Sequence, residues 1–148
     1  MKFELTSETI TKFGVKLHRI RALITFGSVK AGDAGGFMER AENLSQDGNA
    51  WVSGDAQVYG NAWVYGNAQV SPIVISGLTY PVTITDKHMQ IGCEFHLLSE
   101  WQVFDDERIA RMDGCSSRRF WKAWKEPLLA IARAGERDFT PATEKQAA

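Results

Sequence analysis

Between residues 48 and 71 the hydrophobic and polar positions fall into one six-residue phrase, Gly-Asn/Asp-Ala-x-Val-(Ser/Tyr). It is written four times: GNAWVS, GDAQVY, GNAWVY, GNAQVS. In each copy Ala and Val stand two apart, so on an extended segment both point to one side. Trp or Gln, and then Tyr or Ser, point to the other. Gly-Asn or Gly-Asp supplies the residues that enter positive φ most easily, which lets the chain turn a corner. A fixed period makes every copy the same small unit, and the pattern predicts short strand, corner, short strand, corner. The rival is an antiparallel meander, because Gly-Asn and Gly-Asp also make two-residue hairpin turns. Strands of unvarying length favour the coil.

The flanks carry other patterns. FELTSETITKFGVKLHRIRALITFG is rich in β-branched and aromatic residues, and predicts strands near 2–6, 8–13 and 15–25 with a break at Gly14. Gly32-Asp33 and Gly35-Gly36 read as turn material, with Leu44 as an inward plug. After Pro72, residues 73–76 continue as an apolar strand. Thr79–Thr85 and Met89–Leu97 alternate around the polar Asp86-Lys87, which predicts a hairpin with an edge strand at Pro81. Ser99 caps a short turn through Trp101, and Asp105 or Asp106 caps a helix ending near Gly114. A longer helix then starts at Ser116 or Ser117 and closes at Gly135. Phe120, Trp121, Trp124, Leu128, Ile131 and Ala132 form its apolar stripe, and Pro127 should kink it. The chain thus divides into N-terminal strands and a leader loop (1–43), the repeats (44–76), a β-hairpin (77–98), a C-terminal helical region (99–137) and a loose tail (138–148).

The repeats resemble those of the hexapeptide-repeat proteins, in which an aliphatic residue recurs every sixth position with a small residue four after it. Val52/Ala56, Val58/Ala62 and Val64/Ala68 fit that spacing. The segment FGSVKAGDAGGF (26–37), followed by ENLS (42–45), looks like a leader found before such repeats in phage and prophage proteins. The resemblance implies a left-handed parallel β-helix with three copies per triangular coil, placing Val70 above Val52 and Gln69 above Trp51. The left hand comes from the resemblance alone. The expected fold class is therefore α+β: a short left-handed parallel β-helix with N-terminal strands, a β-hairpin and C-terminal helices.

Composition changes this picture little. The 148 residues suffice for one domain with a sizeable core. A net charge of −1 and a pI near 6.3 give no general pull toward nucleic acid or anionic membranes. No apolar run is long enough to span a bilayer, and MKFELTSETI does not read as a signal peptide. Cys93 and Cys115 do not make a disulfide framework and read as a reduced pair.

Candidate chemistry is sparse. His88, Cys93, His96 and Cys115 offer a zinc set only weakly, because Cys93 and His96 lie on opposite faces of an alternating strand. The expectation is no metal and no cofactor. Relatives of the repeat architecture include acyltransferases with a histidine base, yet no histidine lies in 44–76. The run Lys12–Lys30 is basic, which reads as a guarded strand edge before an anion site. From Arg108 to Arg137 there are eight basic residues against three acids. Arg118, Arg119, Lys122 and Lys125, interleaved with aromatics, are thus candidate anion or nucleic-acid contacts.

The outward side of the repeats carries the most information. With Ala and Val turned in, Trp51, Tyr59, Trp63 and Tyr65 point out, and such rings side by side form a patch that monomers avoid. A cover from the chain's own helix, a second subunit or a foreign protein would each explain them. The sequence therefore reads as a non-enzymatic, phage-type binding protein in the cytoplasm of a bacterial host, with inhibition of a host defence complex by protein contact as its expected role. Its expected partners are a second copy in a homodimer and a host protein or protein–nucleic acid complex, with no membrane. The alternatives are a hexapeptide-repeat acyltransferase-like enzyme and a self-assembling scaffold.

Overall fold

Alternating apolar residues at the N-terminus pair as a long hairpin. Strand β1 (Phe3–Lys12) runs antiparallel to β2 (Val15–Ala22), turning at Phe13-Gly14 with φ of 49° and 80°. The computed structural model describes residues 1–60 and 62–142. Strand β3 (Ala34–Met38) adds antiparallel to β2 and buries Gly35, Gly36, Phe37 and Met38. Gly35-Gly36 is therefore strand and not turn: side-chain-free backbone lets Val52 and Ala56 close against it. Arg19 lies over the Phe37 ring, donates to the Gly35 carbonyl and pairs with Glu8, while Arg21 pairs with Glu4. Two of the five basic residues of the run, Arg19 and Arg21, are thereby paired with acids of their own sheet.

A single 3-10 turn at Ala41–Asn43 leads into the repeats. Asn43 is buried there, and its amide donates to the carbonyls of Gly60 (3.1 Å) and Ala62 (2.8 Å). Three very short strands follow: β4 (Trp51–Val52), β5 (Gln57–Val58) and β6 (Asn67–Ala68). Ala50, Val52, Ala56, Val58, Ala62 and Val64 all enter one core with Phe3, Ile20, Met38 and Leu44. Gly48, Gly54 and Gly60 take positive φ at the corners.

The left-handed parallel β-helix is not present. β5 pairs parallel to β3, β4 pairs parallel to β6, and Leu44 bridges Val64, but each contact spans two residues or fewer. The other sheet pairings are antiparallel, and no closed or solenoid sheet forms among the described residues. An exact three-copy coil would set Val52 beside Val70, whereas Val52 pairs with Ala68 and Trp51 with Asn67. Val70 is 46% exposed. The fourth copy is drawn elsewhere. The Asp86 carboxylate accepts from the backbone N–H of Gln69 (2.9 Å) and Val70 (3.3 Å), and Arg137 donates to the Ser71 carbonyl. Gly66, the fourth corner, lacks the positive φ of the first three and lies against Phe95.

The second half is a four-stranded antiparallel meander, ordered β10-β9-β8-β7. It comprises β7 (Ile73–Ile75), β8 (Val82–Ile84), β9 (His88–Ile91) and β10 (Glu94–Leu97). Met89–Leu97 is thus two strands and not one, because Gly92 at φ 58° reverses the chain. Helix α1 (Leu98–Trp101) is stapled by Glu100, whose carboxylate accepts from the Leu97 N–H, and not by Ser99. Helix α2 (Asp106–Ala134) is capped by Asp105 and broken only at Asp113–Gly114. Pro127 sits in helical backbone without breaking it. Ile84, Met89, Trp101, Trp121, Leu128 and Leu129 join in a second core. The start of the tail is docked: the Asp138 N–H donates to the Asp86 carbonyl, and Phe139 packs beneath Arg133. The remainder of that tail, 143–148, lies outside the described residues.

Candidate functional site

Residues on the outer side of the repeats do not share one environment. Trp51 is 6% exposed, packed edge-on to Phe26 at 5.4 Å, so it leaves the set of outward rings. Lys2 closes over it: its ammonium donates to the Ala50 carbonyl (2.7 Å) and sits over the Phe26 ring, and burial lowers its pKa. Tyr59 is exposed and lines a groove with Pro72 and Val74. Trp63 is 48% exposed yet packed on Tyr65, with ring centroids 4.6 Å apart.

From Tyr65 the rings continue into the meander. Phe95 meets Tyr65 edge-on at 5.9 Å, and His88 stacks on Phe95 at 4.4 Å with planes 13° apart. Trp63, Tyr65, Phe95 and His88 form one ridge across the junction of the two halves. Gly66 permits it, because a Cβ there would lie 2.9 Å from the Phe95 ring. Burial raises the pKa of the Tyr65 hydroxyl above its ordinary value, and among the described residues no ring of the helical region stacks on Trp63. Phe95 and His88 escape sequence reasoning, since only a tertiary contact joins them to the repeats.

His88 gives the ridge a pH dependence. Burial, then Lys87, lowers its pKa from the ordinary 6.5, with Glu100 and Asp86 opposing. Below pH 6.5 the unfolded chain binds the proton first, so stability rises with pH through this window and is complete above it. Stability should fall as pH drops below about 6.5, and His88→Phe should flatten that slope. Urea unfolding at pH 5 to 8 reads it directly. Equal slopes for both proteins would remove His88 as the cause.

Among the basic candidates, Arg118, Arg119 and Lys122 are exposed and Lys125 is half-buried, and none forms an ion pair among the described residues. Phe120 and Trp121, however, are in the core, leaving only Trp124 available for stacking beside them. The zinc set is dispersed in role. His88 stacks on Phe95, His96 donates to Glu94 (2.9 Å) between Trp101 and Phe104, and both cysteines are exposed. No cluster able to hold a metal occurs among the described residues. No described helix is long and apolar enough to cross a membrane. No family model, curated protein or solved structure matches the chain.

Proposed function

We propose that this chain acts by binding another protein, with the ridge headed by Trp63 as its contact surface. One observation carries the reading: a large ring is half exposed yet held by Tyr65, which is itself backed by Phe95. A ring fixed in this way loses little conformational freedom on binding, and Trp and Tyr are the residues that most often dominate interface energies. The likeness of residues 26–37 and 42–45 to a phage-type leader extends the reading to a bacterial host protein, such as a component of a defence complex met in the cytoplasm. Exposed Arg118, Arg119 and Lys122 suit an acidic or nucleic-acid-bearing partner.

Capture from bacterial lysate tests this with paired baits. A stoichiometric partner should bind the natural chain and be lost at least about tenfold with Trp63→Lys, a loss typical of a hot-spot residue. Retention of the same partner by a folded Trp63→Lys chain would move the contact surface elsewhere. A second reading has its own observation: β5 and β7 are sheet edges, and Tyr59 and Val74 are exposed beside them. Unpaired edges invite a second copy of the chain. Light scattering across a concentration series should then show a closed dimer that Val74→Lys shifts toward monomer.

A further inference from the structure

The break in α2 opens a cleft that the ridge does not use. Ile109 and Met112 precede the break and Phe120 and Trp121 follow it, yet all four face one space against Ile91 and Trp101. Asp113 at φ −155° and Gly114 at φ 59° redirect the chain between the two arms. Ser117 ties them, accepting from the Asp113 N–H and donating to the Ile109 carbonyl at 2.7 Å. The cleft measures about 320 Å³, at the small end of small-molecule sites.

Its walls are aromatic and its only charges are negative. Tyr80 meets Phe120 edge-on at 5.1 Å, and Trp101 lies 5.1 Å from Trp121. The charged residues lining the cleft are Asp113 and Glu94, with no lysine or arginine among them. Tyr80 donates to the Asp113 carboxylate (2.5 Å) and sits 2.7 Å from the Ser116 hydroxyl. That bond to Asp113 raises the Tyr80 pKa, keeping the phenol a donor that fixes the carboxylate at the rim. Trp121 adds a second sign of an occupant: its indole N–H is buried with no acceptor among the described residues, and the π face of an aromatic occupant would receive it. Buried indole N–H groups normally find a partner.

We propose that this cleft binds a small organic cation: an ammonium group at the Asp113 and Glu94 carboxylates, which Tyr80 and His96 hold in place, carried on an aromatic body between the rings. Aromatic faces attract cations through their quadrupole, and two carboxylates at the mouth repel anions of the same shape. This site is independent of the Trp63 ridge. Three isosteric probes test it: phenethylamine, 2-phenylethanol and 3-phenylpropionate, titrated while the indole N–H signals of Trp101 and Trp121 are followed by NMR. Phenethylamine should saturate those shifts about tenfold more tightly than the alcohol, and phenylpropionate should leave them unmoved. Asp113→Asn and Glu94→Gln should each weaken the amine several-fold and leave the alcohol within about twofold. Absence of saturable amine binding, equal binding of the acid, or an unchanged amine affinity in both variants would overturn the assignment.

Discussion

Adding one methyl group at Gly36 is expected to destabilise the protein by about 3 kcal/mol or more, at the upper end of overpacking costs. The new Cβ would lie 2.6 Å from the Ala56 carbonyl oxygen and 2.6 Å from Val52 Cγ1. Gly35→Ala is expected to match it, with its Cβ 2.5 Å from the Val52 carbonyl oxygen and 2.6 Å from Ile20. Neither glycine is at positive φ, so no left-handed backbone strain adds to the clash. The obstructing atoms include the Ala56 carbonyl, which accepts from the Phe37 N–H, and the Val52 carbonyl on β4, backbone atoms that cannot rotate away as a side-chain end can. Gly54→Ala separates the two mechanisms, since its φ is 61° but nothing lies within 4 Å of its Cβ. It should cost roughly 1–2 kcal/mol, the usual cost of a left-handed alanine. Urea unfolding midpoints rank the three, and a Gly36→Ala protein as stable as Gly54→Ala would rule out the close packing of β3 on the repeats.

The second large effect is expected at Val64. It is fully buried, bridges Leu44, and lies in the N-terminal core beside Val58. Val64→Asp would bury a carboxylate among aliphatic side chains with no cation to pair it, a change that exceeds about 4 kcal/mol in comparable cores. That is a large share of the roughly 5–15 kcal/mol by which domains are stable, so the N-terminal half should fail to fold. Gln57→Asp is the matched control, because Gln57 is half-exposed and its backbone N–H, not its side chain, is bonded to Ser71. It should stay within about 0.5 kcal/mol of the parent. Circular dichroism and urea unfolding on both variants decide it. Equal stability of the two would mean that the buried and exposed sides of the repeats are exchanged.

The interior of the first three repeats was legible because Ala and Val two apart must share a side wherever the chain is extended. The same spacing says nothing about which strand will pair with which. Strands two residues long carry too few hydrogen bonds to fix a partner by themselves, so the leader, Asn43 and Asp86 decide the pairing. Gly35-Gly36 was misread because the same letters serve a turn, where glycine supplies positive φ, and a tight sheet, where it supplies absence of bulk. The break near Gly114 was legible from its glycine and the serines after it. Pro127 was misleading, since its surroundings keep the helix continuous. Of the ridge, Trp63 and Tyr65 were visible in the repeat, whereas Trp51 is covered by Phe26 and Lys2 from distant sequence. Phe95 and His88 could be joined to them only in three dimensions.

The claim that the Trp63 ridge is the contact surface is tested most directly by photo-crosslinking from that position. A benzophenone amino acid in place of Trp63 would be compared with the same group in place of Phe13, which is 88% exposed at the β1–β2 turn. Illumination in a bacterial lysate should give one discrete adduct from position 63, with a partner protein or a second copy of the chain, and none from position 13. The same adducts from both positions, or none from position 63, would contradict the account.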